Sequence, residues 1–222
     1  MDIMEALEAR HAVRSYTEQR ISGETVDELR QTVAKCNGES GLSIQLCIDE
    51  PKAFSGLLSL TGKFKNVRNY VALIGNKGDP ALEEKCGYYG QKIVLTAQQL
   101  GLNSCWVGLS YSKGKSAALV LPEQKLLLVI ALGYGETTGV AHKSKPLATL
   151  YHSEGPPPPW FLLGMEAAQL APTALNQQKF HFGLKGDTII ATTKSGSYTR
   201  VDLGIAKYHF EVGAGTDRLG WA

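Results

Sequence analysis

The chain of 222 residues has few cysteines, little net charge and no long apolar run. Its 4 cysteines do not form Cys-x-x-Cys pairs, which argues against a zinc site or a disulfide framework and predicts buried, reduced thiols. A net charge of +2 is too small to indicate a nucleic-acid or membrane partner. No apolar run is long enough to cross a bilayer, and the acidic N-terminus is not a signal peptide. The sequence therefore predicts a soluble cytoplasmic protein without a metal.

The residues that are present give an ordinary globular composition, with 43% hydrophobic and 20% charged residues. This length suffices for one large domain, or for one domain with a smaller one beside it. The clearest boundary is Gly155 followed by four prolines, because such a run favours a stiff extended linker. We therefore expect a first unit at residues 1–154, a linker at 155–159 and a second unit at 160–222.

Apolar periodicity predicts an alternation of helices and strands along the chain. Helices are expected at residues 3–12, 24–35, 54–60, 80–100, 117–120, 160–170 and 201–210. Strands are expected at residues 42–48, 69–75, 104–109, 126–132, 180–184 and 188–193, with 185–187 as the turn of a hairpin between the last two. Asn37 and Gly38 are expected to cap the second helix, because both suit a left-handed conformation. The glycine-rich tail from Gly213 is expected to be poorly ordered.

Arg10 and Arg14 form the first candidate site, with His11 between them. Residues four apart project from one face of a helix end, and two guanidinium groups at that spacing can hold a phosphate by charge-assisted hydrogen bonds. The alternative is a solvated basic helix end that complements the helix dipole, and the spacing alone favours this alternative.

A loop after the predicted helix 160–170 forms the second candidate site. Pro172 cannot continue that helix, and Thr173, Ala174 and Asn176 then supply side-chain and backbone groups that could border a flat heterocycle. An ordinary loop that ends a helix is the alternative, and the loop alone favours it.

Two further segments could contact a ligand. Gly101 and Gly108 flank an apolar strand and would let its backbone pass close to a ligand, although Trp106 also suits a packed core strand. Lys143 and Lys145 are two apart before a proline, so on extended backbone they point the same way and could close a phosphate pocket. A solvated charged loop is the alternative for the two lysines.

Taken together, these segments resemble the FMN-dependent nitroreductase family. Residues 10–16 resemble its Arg-Arg-Ser-x-Arg-x-Phe motif, and residues 100–108 closely match its Leu-Gly-Leu-Gly-Ser-Cys-Trp-Ile-Gly. Residues 167–178 resemble its Ala-Ala-x-x-Ala-Pro-Ser-x-x-Asn-x-Gln, and residues 128–134 with 143–147 resemble a strand and a basic segment of the family. In ordinary members the proline motif follows the arginine motif closely, whereas here the two lie at opposite ends of the chain. This order resembles a single-chain, tandem type, in which one polypeptide does the work of two subunits.

The resemblance implies an α+β nitroreductase-like fold, with a central, mainly antiparallel sheet flanked by helices and two unequal repeats in one chain. Family members are usually homodimers that bind FMN at the subunit interface. Here the unit 1–154 would be the phosphate-binding half, and the unit 160–222 would be a shortened half that carries the isoalloxazine loop. The chain would thus form one complete site as a monomer, and further dimerisation stays open.

The resemblance also implies a set of cofactor-binding residues. The phosphate and ribityl end would be bound by Arg10, His11, Arg14, Lys143 and Lys145, with Ala12 in place of a hydroxyl residue. The isoalloxazine would be bordered by Pro172, Thr173, Ala174 and Asn176, and its reactive side would face Val107, Gly108 and Leu109. No catalytic side chain is expected, because the flavin carries the redox step. Lys63 or Lys65 could reach the carbonyl edge of the ring.

The activity that the resemblance implies is that of an FMN-dependent oxidoreductase with ping-pong kinetics. NAD(P)H would donate hydride, and a nitroaromatic, a quinone or a similar electron-poor small molecule would accept it. No Gly-x-Gly-x-x-Gly motif follows a predicted strand, so the nicotinamide donor would bind without a dinucleotide-binding domain. Two alternatives stay open: a non-catalytic FMN-binding or flavin-storage protein, and a degenerate family member without flavin.

Overall fold

The fold is given by a computed structural model, which describes residues 1–186, 188–215 and 221–222 and leaves the side chains of residues 58 and 59 undescribed. The helices of the described residues are α1 (Ile3–Ala9), α2 (Glu24–Ser40), α3 (Leu57–Thr61), α4 (Leu82–Gln99), α5 (Pro159–Gln169) and α6 (Thr199–Ala214). The strands are β1 (Gln45–Cys47), β2 (Asn69–Asn76), β3 (Asn103–Val107), β4 (Gln124–Gly133), β5 (Tyr151–Ser153), β6 (Phe180–Lys185) and β7 (Thr188–Thr193). Most of the predicted helices and strands are confirmed.

Strands β1 to β4 form an antiparallel sheet in the order β1-β2-β4-β3. β2 and β4 lie at its centre, where Val71 is opposite Ile130 and Leu73 is opposite Leu128. All four side chains are buried, in keeping with the unbroken apolar runs of both strands. The sheet therefore forms the interior of the molecule, and the chain reaches the surface just after β3, at the exposed Leu109.

Strands β5, β6 and β7 form a second, smaller sheet. β6 and β7 are the predicted antiparallel hairpin, whose turn includes residue 187, outside the described residues. The sequence pattern does not predict β5, which runs parallel to β6 with Tyr151 opposite Phe182. Because β5 precedes the proline segment and β6 follows α5, this sheet joins residues from both predicted units, 1–154 and 160–222.

Helix α6 packs closely against both α4 and α5. Gly87 of α4 and Gly204 of α6 permit this approach, because an added Cβ atom would overlap the backbone of the opposite helix, at Val201 and Glu84 respectively. One apolar core then extends from the main sheet through α4 to α6. None of the helices in the described part of the chain has the length and apolar character that a membrane span requires.

The predicted end of α2 at Asn37 and Gly38 is wrong. The helix continues to Ser40 and ends at Gly41, which has a left-handed φ of 71°. The Asn37 side chain instead bonds the backbone of Ile44. Its Nδ2 donates to the Ile44 carbonyl at 2.9 Å, and its Oδ1 accepts from the Ile44 N–H at 2.7 Å. Asn37 thereby fixes the turn from α2 into β1 from inside the last helical turns.

Other predictions also differ from the structure. Residues 117–120 are not helical, because the N–H and the carbonyl of Leu119 both bond the side chain of Gln45 in the edge strand β1, at 2.9 and 2.6 Å. Pro159, expected in the linker, begins α5, a position that suits proline because the first helical turn needs no N–H donor. The prediction of a poorly ordered tail is wrong for the described residues, because Gly213 and Ala214 end α6 and Trp221 forms a bridge with Ile189; residues 216–220 lie outside the described residues. The four cysteines are free and buried, which confirms the expected reduced thiols.

Candidate functional site

A cavity of about 390 Å³ opens between the C-terminal end of β3 and the first turns of α6. Its volume falls within the ~300–1,000 Å³ that is typical of small-molecule sites. Residues far apart in the sequence line it together, since Arg10 and Arg14 come from the segment after α1 and Thr173 comes from the loop after α5. The two candidate segments from opposite ends of the chain therefore share one cavity.

Most of the predicted cofactor-binding residues lie in this cavity wall. Those that line it are Arg10, Ala12, Arg14, Val107, Gly108, Leu109, Pro172, Thr173 and Ala174. Those that do not line it are His11, Lys63, Lys65, Lys143, Lys145 and Asn176. His11 instead lines a smaller neighbouring cavity of about 90 Å³, together with Arg10 and His142. Arg10 thus borders both cavities.

The segment after α1 is fixed by the main sheet. Arg10 ends α1 by donating its N–H to the Ala6 carbonyl, and the chain then turns to run beside β3. There the Val13 N–H donates to the Ser104 carbonyl at 3.0 Å, and Ala12 forms a parallel bridge with Ser104. This anchoring to the sheet brings Arg10 into the interior while Arg14 remains exposed.

Arg10 is an unusual charge for a buried position. Its side chain is only 4% exposed, its Nε has no hydrogen-bond partner, and no carboxylate of the described residues forms an ion pair with it. Burial lowers the pKa of Arg10 to about 10, so the guanidinium stays charged at neutral pH. A buried cation without a partner is costly, and an anionic ligand in the cavity would offset that cost.

Lys143 and Lys145 lie outside the cavity and stabilise the loop after α5 by hydrogen bonds. The Lys145 Nζ donates to the carbonyls of Gln177 and Gln178, both at 2.8 Å. The Lys143 carbonyl accepts from the side-chain amides of Asn176 and Gln178, both at 2.9 Å. Asn176 is therefore a donor that joins the loop to the basic segment.

The loop at residues 172–178 concentrates backbone strain at the cavity. Leu175, Asn176 and Gln178 have φ of 53°, 52° and 42°, in the left-handed region that residues other than glycine rarely adopt. The Asn176 N–H donates to the Thr173 carbonyl, and the Gln178 N–H donates to Thr173 Oγ1, both at 3.0 Å. Strain of this kind persists where surrounding contacts fix the backbone, and it is common at ligand sites.

Tyr198 covers the end of β3 from the opposite wall. Its hydroxyl donates to the Gly108 carbonyl at 3.2 Å, and an added Cβ at Gly108 would lie 2.7 Å from its ring. Gly108 therefore permits a close approach that a side chain would block. Sequence patterns do not indicate Tyr198, because an aromatic residue before a helix is typical of ordinary core packing.

Asp202 supplies a buried carboxylate to the cavity wall, and it is only 2% exposed. Its Oδ1 accepts from the Ala174 N–H and its Oδ2 accepts from the Gln177 side-chain amide, both at 2.9 Å. Burial raises the pKa of Asp202 to about 6, against the lowering effect of these two hydrogen bonds. In the sequence Asp202 resembles a solvated acid of a first helical turn, and its apolar neighbours Val201 and Leu203 are the signal that could have marked it.

Comparison with known proteins identifies the family and the fold. The family described as "Putative TM nitroreductase" matches residues 2–214. No curated protein sequence matches the chain. Among solved structures, the chain is similar to a "putative nitroreductase" of Thermotoga maritima, with 23% identity, a TM-score of 0.66, and coverage of 96% of this chain and 83% of that chain.

Two further solved structures share the fold. One is a "putative nitroreductase" of Desulfovibrio desulfuricans in complex with FMN, with 19% identity, a TM-score of 0.55, and coverage of 71% of this chain and 99% of that chain. The other is the NfrA1 nitroreductase of B. subtilis, with 15% identity, a TM-score of 0.55, and coverage of 68% and 73%. These similarities confirm the predicted nitroreductase-like α+β fold. Because the family match spans nearly the whole sequence, the chain belongs to the nitroreductase-like family described as "Putative TM nitroreductase".

Proposed function

We propose that this protein is an FMN-dependent oxidoreductase that uses NAD(P)H to reduce nitroaromatics, quinones or similar electron-poor small molecules. The observation that carries the proposal is the buried Arg10 in the cavity wall, whose Nε has no hydrogen-bond partner and whose guanidinium has no ion-pair partner among the described residues. A phosphate monoester would offset this charge, and FMN carries one at the end of the ribityl chain that is attached to its flat ring system. Family membership and the FMN complex of the Desulfovibrio protein support the same cofactor.

Arg10 and Arg14 are the residues proposed to hold the phosphate. Both line the cavity, and guanidinium groups bind phosphate oxygens in a bidentate manner. Ala12 lies between them and offers no hydroxyl, so phosphate affinity rests mainly on the two arginines. Lys143 and Lys145 are proposed to act indirectly, through the loop that they brace.

The ring end of the cofactor is proposed to lie between the loop at 172–178 and the end of β3. Pro172 and Ala174 line one side and Val107 and Gly108 line the other, which gives the largely apolar walls that suit a flat heterocycle. Leu109 also lines the cavity and is 78% exposed, so it marks the side that is open to solvent. Small electron-poor acceptors are proposed to enter there.

Bound FMN would supply the hydride relay between the nicotinamide donor and the acceptor, so the protein needs no nucleophile of its own. The residues of this chain bind the phosphate, orient the ring and exclude water with apolar walls. Donor and acceptor would use the same open side in turn, which accounts for a ping-pong order.

The two units, 1–154 and 160–222, are proposed as unequal repeats that form one site within a single chain. Arg10 and Gly108 come from the first unit, Thr173 and Asp202 come from the second, and all four line the same cavity. This arrangement supports a cofactor site that needs no second copy of the chain.

The test is the absorption spectrum of the purified full chain, followed by turnover with NADH or NADPH and a quinone or nitrofuran. A flavin spectrum together with acceptor reduction is the expected result. FMN that is retained without any turnover would instead indicate a flavin-storage protein. A colourless protein that takes up no added FMN would indicate a degenerate family member.

A further inference from the structure

We propose that Asp202 is a positioning residue, which holds the loop at 172–178 in its strained, cavity-facing shape and thereby sets the affinity for the cofactor. The inference rests on the proposed function, since this loop would border the isoalloxazine of FMN. It concerns an α6 residue outside all the segments that carry the family resemblance.

Asp202 forms hydrogen bonds with the loop at 172–178 at two points. One carboxylate oxygen accepts from the Ala174 N–H, where the loop begins its turn, and the other accepts from the side chain of Gln177, beyond the strained Leu175. The same Gln177 amide also donates to the Ser197 carbonyl at 2.9 Å, just before α6. Asp202 therefore ties both ends of the strained turn to the first turns of one helix.

The chemistry of these two contacts requires an ionised carboxylate. Both partners of Asp202 are N–H donors, and only a group that accepts on both oxygens satisfies them together. An asparagine would direct its own NH2 donor at one of the two N–H groups, and a protonated Asp202 would offer one of them only a hydroxyl oxygen, which is a weaker acceptor. One of the two hydrogen bonds would then be lost or weakened, and the strained turn would loosen.

The carboxylate keeps this position without a compensating cation. No lysine, arginine or histidine of the described residues forms an ion pair with Asp202, so its charge is balanced by N–H groups alone. A buried charge that opposes folding is typical of a functional position. The titratable or charged groups around Asp202 are Arg10, Arg14, Cys105 and Tyr198 in the cavity wall, and Glu83, Glu84, Lys85, Cys86 and Tyr88 on the facing turns of α4.

The test compares Asp202→Asn with the wild-type chain by fluorescence titration with FMN from about pH 5 to about pH 8. Because the FMN phosphate itself titrates near pH ~6, the readout is the ratio of the two Kd values at each pH, in which titrations common to both proteins cancel. We expect the variant to bind about tenfold more weakly above pH ~7, the effect of one lost hydrogen bond. The ratio should approach one near pH ~5, where the wild-type carboxyl is itself protonated.

A second readout does not depend on FMN. Hydrogen exchange of the peptide that contains residues 172–178 should be faster in Asp202→Asn than in the wild type at neutral pH, and equal at acidic pH. Asp79→Asn is the matched control, because Asp79 also accepts from a backbone N–H, that of Ala81 at 2.8 Å, but does not line the cavity. This control should change neither the Kd ratio nor the exchange of the loop.

The outcomes separate this inference from the proposed function. A Kd ratio that stays constant with pH, or loop exchange equal to that of the wild type at neutral pH, overturns the role of Asp202. A wild-type chain that binds no FMN contradicts the proposed function instead, and the exchange measurement then decides on Asp202 alone.

Discussion

Gly204 of α6 lies directly against the Glu84 carbonyl of α4, with no room for a side chain between the two backbones. This contact fixes the position of α6 along α4, and it thereby places Val201 and Asp202 in the cavity wall. The shape of the candidate site therefore depends on a close approach of two helices that lie far apart in the sequence.

Gly204→Ala should destabilise the protein by ~1–3 kcal/mol, because the overlap with α4 outweighs the ~1 kcal/mol that alanine gains over glycine in a helix. Chemical denaturation measures this difference. Gly38→Ala is the matched control, since Gly38 lies inside α2 and an added Cβ would meet nothing within 4 Å. The control should be stabilised by ~0.5–1 kcal/mol, and a similar gain in both variants would contradict the close contact.

Arg10→Met should weaken FMN binding by ~1.5–3 kcal/mol, the contribution of hydrogen bonds to a charged group. Without FMN the variant should be at least as stable as the wild type, because a buried and unpaired charge has been removed. Fluorescence titration and denaturation give the two values. Arg30→Met, on the exposed side of α2, should change neither appreciably. An Arg10 variant that loses stability but keeps its FMN affinity would show that Arg10 is structural.

Asp202 should give folding a measurable pH dependence. Its pKa is about 6 in the folded protein against an ordinary value of 3.8, so the folded state binds more protons between these two values. Protonation of Asp202 therefore adds to the free energy of unfolding, and this contribution is fully present below pH ~4 and is lost as the pH rises to ~6. A difference of about two pKa units corresponds to ~3 kcal/mol. Asp202→Asn should remove this slope in denaturation experiments across the range, and an unchanged slope would assign it to other groups.

One FMN should bind to each chain, and a monomer should suffice. Both halves of the described cavity wall come from the same polypeptide, and the proposed function therefore expects a complete site in one chain. Flavin absorbance per chain, combined with light scattering during size-exclusion chromatography, measures both quantities. Two flavins per chain, or flavin bound only to dimers, would contradict the single-chain site.

The main elements of the fold can be predicted where burial leaves a continuous signal. β2 and β4 are long apolar runs, and the structure places both at the centre of the sheet. β5 gives no such signal, because Tyr151–Ser153 is short and acquires its partner only when α5 folds back. The end of α2 is mispredicted for a similar reason, since the side chain of Asn37 is committed to Ile44, a tertiary contact.

The candidate site is predictable to the extent that it consists of contiguous motifs. The segments around Arg10 and Thr173 stand out by their resemblance to a family, and they do line one cavity. Tyr198 and Asp202 do not stand out, because the direction in which α6 faces is set by its contact with α4 rather than by local sequence. Lys145 and Asn176 carry suitable side chains, but these bond each other's segments, and Lys143 contributes only its backbone carbonyl.

The parallel pairing of β5 with β6 has a practical consequence for the proline segment between them. Cleavage of the backbone near Gly155 would leave two fragments that remain joined by β-sheet hydrogen bonds and by the packing of α4 against α6. The polypeptide can therefore be divided at this segment into two fragments that we expect to reassemble. Recovery of the secondary structure of the intact chain on mixing such fragments, measured by circular dichroism, would report their reassembly.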